Sequence, residues 1–404
     1  MPALSPASPD AADGPRTARP GRRPVLAGLG MTDIGPVYGQ TAAQFAAEAV
    51  RRAAGDAGLG LADIDGLLTS AGFNGGVKLD LHRDLGLSDL RLLSEMQGFG
   101  TTAASMVQLA SMAVMSGMAD VVACVYADTP RQQGKSSGAF YAGEGRVIQG
   151  WKGLQFASKL SANPMYALAA RRHMLRFGTT SEQLGHIAVA QRAWAARNPL
   201  AQMREPITLE DHRSSRLVAD PLHLLDCCLV SNGGIAVIVT SAERAADLAQ
   251  PPVHVRGWAQ SHPGHLLRRH EDFGLVSGAA QAGPAALAMA GLSLADVDIF
   301  ELYDCYTFTV LLTVEDYGLC GKGEGGPFLA SGVLGPGGKL AVNTGGGQLS
   351  GYYLWGMSPL SEALIQARGQ AGARQVDAHD VVMVSGNGGI FDHHATLVLA
   401  TQEA

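Results

Sequence analysis

Cysteine is scarce in this chain of 404 residues, with five in all: Cys124, Cys227, Cys228, Cys305 and Cys320. Their number is odd and no two are spaced as Cys-x-x-Cys. That excludes a disulfide framework and a zinc knuckle, and points to a reducing cytoplasm. Charge is scarce too, at 16% of residues with a net charge of −6, so no basic face for nucleic acid is expected. No apolar run reaches the roughly 18 residues of a membrane helix, so no membrane span is expected. What is plentiful is glycine, 52 residues, and apolar side chains, 47%, a composition suited to tight helix–sheet layers around a sizeable core. Residues 1–23 are rich in Pro and Ala and carry Asp10 and Asp13 among scattered arginines. Without the apolar segment of a targeting peptide they read as a disordered tail.

Several cofactor motifs are incomplete. Gly28-Leu-Gly-Met-Thr-Asp33 follows a strand-like run, but Asp33 stands where a dinucleotide fingerprint needs its third glycine. Gly134-Lys-Ser136 resembles the end of a phosphate loop, yet Thr129 occupies the place of its first glycine. His262, His265 and His270 lie close together beside Arg268 and Arg269, without the carboxylates that would support a metal, so no metal site is expected. His393 and His394 are adjacent, so on a strand only one of them can enter a site.

A duplication organises the chain. Ala57-Gly-Leu-Gly-Leu-Ala-Asp-Ile-Asp65 returns as Ala290-Gly-Leu-Ser-Leu-Ala-Asp-Val-Asp298. Each copy follows an Ala-rich helical stretch, Thr41–Ala57 and Gly278–Ala290, and runs into an apolar strand, Ile64–Thr69 and Val297–Tyr303. A second echo pairs Asp120-Val-Val-Ala-Cys124 with Asp380-Val-Val-Met-Val384, each a strand after a helical stretch, Thr101–Gly117 and Gly356–Arg368. Strands alternating with helices imply an α/β protein, and two copies imply halves related by a pseudo-twofold. The halves span 24–245 and 252–404, divided at Gln250-Pro-Pro252. A segment over about 128–225, with helical patches Pro164–Phe177 and Ser181–Asn198, reads as a loop domain inserted in the first half.

Four motifs across both halves resemble one family. Asn343-Thr-Gly-Gly-Gly-Gln-Leu-Ser-Gly-Tyr-Tyr-Leu-Trp-Gly-Met357 resembles the thiolase signature in which Asn-x-x-Gly-Gly precedes Gly-His-Pro-x-Gly. Glu301-Leu-Tyr-Asp-Cys-Tyr306 resembles the Glu-Leu-His-Asp-Cys-Phe block of the sterol-carrier type. Asp226-Cys-Cys-Leu-Val-Ser-Asn-Gly-Gly-Ile-Ala236 resembles its Asp-Cys-x-x-x-Ser-Asp-Gly-Ala stretch, and Gly386-Asn-Gly-Gly389 its last glycine-rich loop. The resemblance implies a thiolase fold with five layers, αβαβα.

The departures carry the functional reading. Alignment on Gly117 puts Gly100 where a thiolase has its nucleophilic cysteine, and glycine cannot form an acyl-enzyme. Tyr303 and Tyr353 stand where the two active-site histidines belong, and a phenol still donates and accepts a proton. This pattern resembles the thiolase-like steroid side-chain aldolases of the lipid-transfer-protein family. It implies retro-aldol cleavage of a β-hydroxyacyl-CoA to a ketone or aldehyde and a shorter acyl-CoA.

In that reading Tyr303 and Tyr353 face each other across the substrate as acid and base, their order left open by the sequence with a lean toward Tyr353 on the hydroxyl. Backbone N–H groups of Gly100 and Gly389 hold the thioester oxygen. Asn343 and Gly346 complete the substrate-binding set, and Gly100 clears volume for a branched α-carbon. Coenzyme A is part of the substrate and no other cofactor is expected. Two alternatives compete: an acyltransferase with a relocated nucleophile, Cys305, and a non-catalytic acyl-CoA or lipid-binding scaffold. The positional argument makes no cysteine catalytic, with Cys124, Cys227 and Cys228 buried and unreactive. The resemblance also implies a homodimer joined by an OB-fold, acyl-CoA-associated partner in a heterotetramer.

Overall fold

Glycine in the first strand of each half sets how closely the outer helices pack. A Cβ on Gly30 would meet the Ala49 carbonyl at 2.0 Å, and one on Gly28 the Ala53 carbonyl at 2.2 Å. In the second half a Cβ on Gly257 would meet the Ala286 carbonyl at 2.1 Å. An Ala-rich helix therefore lies with its backbone against a glycine-bearing strand in both halves, which accounts for the Gly-x-Gly that imitates a dinucleotide motif.

The computed structural model describes residues 22–72, 75–137, 139, 162–264 and 272–403. Of the span read as a tail, 1–21 lies outside the described residues, while Arg22 is held to Asp120 by an ion pair of 2.6 Å. Arg22, read as part of that tail, thus belongs to the folded part. His265, Arg268, Arg269 and His270, and the middle of the inserted segment, also lie outside the described residues.

The strands are β1 (Pro24–Met31), β2 (Gly66–Ala71), β3 (Leu92–Glu95), β4 (Val121–Asp128), β5 (Leu217–Ala219), β6 (Leu222–His223), β7 (Gly233–Ser241), β8 (Val253–Ser261), β9 (Ile299–Glu301), β10 (Ala341–Val342), β11 (Val381–Gly388) and β12 (His393–Ala400). Ten of them run in the order β10-β9-β11-β12-β8-β1-β7-β4-β2-β3, and β5 with β6 forms a separate hairpin. The order repeats. β2 is parallel to β3 and β4, β7 is antiparallel to β4 and β1, and β9, β10, β11, β12 and β8 reproduce those pairings in turn. Among the described residues the two five-stranded units pair with each other where Val25 and Leu26 meet His254 and Val253.

Helix Ala42–Ala57 covers the outer face of the first unit, and helix Ala279–Ala290 that of the second. Between the units lie helices Thr102–Ser116 and Met357–Ala367, each touching strands of both. Every residue of Met357–Ala367 is buried. Helices and strands thus form the expected αβαβα layers, and β4 and β7, covered on both faces, are buried at every position. Each predicted helix is present within three residues of its expected ends. Thr41 caps the first through a capping box with Gln44, and Gly58 and Gly117 end the first and the central helix in the left-handed region.

The inserted segment contributes helices Ala162–Phe177, Ser181–Ala195 and Leu209–Ser214. It is fastened to the second half by buried contacts. Asp226 accepts from His212 Nε2 at 2.8 Å and from Thr307 Oγ1 at 2.7 Å, and His173 Nε2 meets Glu315 at 3.1 Å.

Candidate active site

Four loops meet at the ends of the central helices: residues 98–101, 302–306, 343–356 and 386–391. Among the described residues six non-glycine residues have positive φ, and five lie in these loops: Phe99, Asn343, Trp355, Ile390 and Phe391. Such backbone is costly, most of all for a β-branched residue like Ile390, and it persists only where the surroundings impose it. Trp355 ties the loops together, its ring 5.9 Å from that of Phe99 and 4.9 Å from that of Tyr126.

At the meeting point the hydroxyls of Tyr303 and Tyr353 are 3.0 Å apart, with the rings edge to face. The sequence reading set them on either side of a substrate; instead they bond each other directly. One hydroxyl donates and the other accepts. Tyr303 is 3% exposed and Tyr353 half-buried, which makes Tyr353 the open face of the pair. Burial pushes the Tyr303 phenol well above its ordinary pKa of 10, while the bond from Tyr353 pulls the other way. Each backbone is fixed by a serine: the Tyr303 N–H donates to Ser385 Oγ at 2.9 Å, and the Tyr353 N–H to Ser231 Oγ at 3.0 Å. Neighbouring Tyr352 is structural, its hydroxyl bonded to Ser361 at 2.9 Å.

Gly100 lies against the Tyr303 ring. A Cβ there would stand 2.3 Å from both Cε2 and Cζ of Tyr303 and 2.1 Å from the Asn387 carbonyl. This corrects the expectation that the glycine clears room for a substrate branch: the tyrosine occupies that room. A side chain at 100 and the ring at 303 thus exclude each other.

Asn343 sits one layer back, where its Oδ1 accepts from the Leu302 N–H at 2.6 Å and so fixes the approach to Tyr303. Gly346 lies against the inserted segment, where a Cβ would meet that of Ala195 at 2.5 Å. Gly389 packs beside the His393 ring, and His393 meets His262, Nδ1 to Nδ1, at 3.0 Å. Its neighbour His394 points inward to the Tyr317 hydroxyl at 3.1 Å, so the two histidines do face opposite ways.

The inserted segment supplies residues the sequence reading missed. Tyr166 accepts from Asn387 Nδ2 at 3.1 Å and packs on Tyr306 at 4.5 Å, while the Tyr306 hydroxyl donates to Asn163. Nothing in the spacing of Asn163 and Tyr166 signals this, because the contacts form only when the insertion folds back over the second half.

Cys305 is buried, and burial pushes its thiol up to about 12. Cys124 is buried as expected, whereas Cys227 and Cys228 are half-buried, a correction; burial still raises both thiols. All five cysteines are free. Among the described residues one group of metal-ligand type, His212, His223 and Asp226, gathers its donor atoms within 4.8 Å. The Asp226 oxygens there are already taken by His212, Thr307 and the His223 N–H, so the group serves as a tether for the insertion.

The family described as Thiolase C-terminal domain-like matches residues 259–401. The chain is 38% identical over 382 residues to a steroid side-chain-cleaving aldolase of Thermomonospora curvata, covering 90% of this chain and 95% of that one. It is 36% identical over 382 residues to a 17-hydroxy-3-oxo-4-pregnene-20-carboxyl-CoA lyase of Mycobacterium tuberculosis, covering 90% and 96%. Among solved structures, an Ltp2-ChsH2(DUF35) aldolase superposes with a TM-score of 0.83 at 35% identity, over 95% of this chain and 99% of that chain.

Proposed function

The chain belongs to the family of thiolase-fold, steroid side-chain-cleaving aldolases, and from that premise we propose how its tyrosine pair carries the reaction. The enzyme is a carbon–carbon lyase that cleaves a β-hydroxyacyl-CoA thioester by a retro-aldol step. Tyr353, on the open face, takes the proton of the substrate hydroxyl as its own proton moves across the hydroxyl–hydroxyl bond to Tyr303, whose proton passes in turn to the α-carbon. In the same event the carbon–carbon bond breaks, its electron pair passing to the α-carbon with enolate character while the hydroxyl carbon becomes a carbonyl. One proton leaves the substrate and one returns, so no net proton is consumed.

The observation that supports this relay is the 3.0 Å contact between the two hydroxyls. It also answers the difficulty of a phenol acting as base: with the Tyr303 pKa raised, a free phenolate is costly, and passing a proton in while one passes out avoids it. No step calls for a cofactor beyond the coenzyme A of the substrate. Backbone N–H groups at Gly100 and Gly389 are the donors assigned to the enolate oxygen.

The substrate class is a steroid with a hydroxyl β to a side-chain thioester, as in the name of the mycobacterial relative. A homodimer is supported by β3, an edge strand with Leu93 exposed, and by the exposed Met112, Met115 and Met118 on and after helix Thr102–Ser116. A partner protein is supported by the ChsH2(DUF35) component of the solved aldolase, and its OB fold, its association with acyl-CoA and a heterotetramer belong to the same proposal. Among the described residues no helix is long and apolar enough to cross a membrane, and the free cysteines fit a cytoplasmic enzyme. The test is incubation with 17-hydroxy-3-oxo-4-pregnene-20-carboxyl-CoA. A ketosteroid and a shorter acyl-CoA are expected; an intact thioester, or an acyl group covalently bound to the protein, refutes the reading.

A further inference from the structure

We propose that Asp304 is the positioning residue that sets the two tyrosine hydroxyls against each other, acting with one internal water bound behind the pair. The kinetic part of this proposal rests on the retro-aldol reading; the structural part does not.

Asp304 follows Tyr303 directly and is fully buried, so its backbone travels with one tyrosine. Its carboxylate travels with the other. Both oxygens accept from the Gln348 N–H at 2.9 Å, and Oδ2 accepts from the Leu349 N–H at 3.2 Å. The turn Gly347–Gly351 that they hold leads straight into Tyr353. Gly347 makes the reach feasible, since a Cβ there would lie 2.1 Å from Asp304 Oδ2. One residue thus couples two segments fifty positions apart, and a shift of its carboxylate changes the distance between the hydroxyls.

Behind the carboxylate lies a cavity of about 10 Å³, lined by Glu301, Asp304, Asn343, Tyr352, Ser358 and Glu362 among others. That is room for about one water. Asn343 Nδ2 is buried and faces the Asp304 carboxyl without closing a direct hydrogen bond to it, although its Oδ1 is bonded to the Leu302 N–H. A buried amide donor without a partner is costly, and a water satisfies it while donating to the carboxylates of Asp304 and Glu301. Asn343, chosen from the sequence as a substrate contact, serves here as a water ligand.

The charge of Asp304 decides how well the turn is held. Ionised, it accepts from both N–H groups with two oxygens; protonated, one oxygen becomes a donor and the hold loosens. Burial pushes Asp304 up to about 7, against the pull of the Gln348 and Leu349 N–H groups and the Asn343 amide. The groups facing it are Glu301, Tyr303, Cys305 and Cys228, with Glu362 across the cavity neutralised by Arg374 at 2.8 Å. The Glu301 carboxyl is itself raised by burial and by Glu362.

The test uses Asp304→Asn and Asp304→Ala in the full chain together with its partner protein. Crystal structures give the hydroxyl separation, and kcat and KM are measured on 17-hydroxy-3-oxo-4-pregnene-20-carboxyl-CoA from about pH 5.5 to about 8.5. The wild type is expected to lose kcat below about pH 7, and the Asn variant to lose that limb, with kcat lower by about 10-fold and KM within about twofold. The Ala variant is expected to lose about 10²-fold in kcat with the hydroxyls out of hydrogen-bond reach. An acid limb that persists in the Asn variant, or an unchanged hydroxyl contact in the Ala variant, overturns the proposal. Should the Ala variant not fold, the pH profile of the Asn variant decides alone. A wild type that leaves the thioester intact overturns the reaction reading only, and the crystal structures still judge Asp304. An ordered water on Asn343 Nδ2 in the wild-type structure is expected; a dry cavity removes that part of the proposal.

Discussion

Replacing Gly100 by alanine adds one methyl group at the place where the account is most constrained. The new Cβ would stand 2.3 Å from two ring carbons of Tyr303 and 2.1 Å from the Asn387 carbonyl oxygen. Carbon atoms in contact sit about 3.5–4.0 Å apart, so the ring or the backbone must move by more than an ångström. Asn387 is fixed in β11, paired to His394 of β12, and its side chain is bonded to Tyr166. The loop carrying residue 100 must therefore draw back from the Asn387 carbonyl, and the ring must yield with it. Moving the ring stretches the 3.0 Å hydroxyl contact beyond hydrogen-bond range. Overpacking of this kind costs about 1–3 kcal/mol in stability, and a misplacement of about 1 Å costs about 10²-fold in rate. The assay is turnover of the steroid thioester beside a thermal melt. A folded Gly100→Ala protein with wild-type kcat would refute the claim that Tyr303 fills the nucleophile's place. So would Gly100→Cys, if it formed an acyl-enzyme while Tyr303 kept its position.

Three further outcomes follow from the same structure. Cys305→Ser should leave turnover within about twofold and no variant should carry an acyl adduct in mass spectrometry, because the thiol is held protonated at about 12. His212→Ala leaves the buried Asp226 carboxylate short of a partner and should destabilise by about 3–5 kcal/mol, with limited proteolysis opening the inserted segment first. Stability should fall as pH rises from about 4 to about 7. Asp304 titrates at about 7 in the fold against 3.8 as the ordinary value, so the folded state binds the proton more tightly and loses that advantage as it ionises. A denaturant midpoint that rises over this interval, or one that Asp304→Asn leaves equally steep, contradicts that assignment.

The layered fold was legible because its repeat is written in sequence: the Ala-Gly-Leu echo marks where each outer helix hands over to β2 and β9. The tyrosines were legible as departures from a motif, since their positions are fixed by flanking residues that did not change. What surrounds them was not. Gly100 meets residues 303 and 387, and Asp304 meets residue 348, contacts between segments that share no local pattern. Gly100 was read as empty space for substrate because a glycine shows what it lacks, never which neighbour fills the gap. Tyr166 gave no signal at all, as its place beside Tyr306 depends on how the insertion folds back. Asn343 and Gly346 were drawn into the site by motif and lie behind it, one on the Leu302 backbone and one against Ala195.

The most direct test of the tyrosine relay is the rate of cleavage of 17-hydroxy-3-oxo-4-pregnene-20-carboxyl-CoA by Tyr303→Phe and Tyr353→Phe, each removing one hydroxyl of the 3.0 Å pair and little else. Each variant should fold normally and lose about 10²–10⁴-fold in kcat, and the double variant should lose scarcely more than either, because the hydroxyls act as one unit. Near-wild-type cleavage by either single variant, or losses that multiply in the double, would contradict the account.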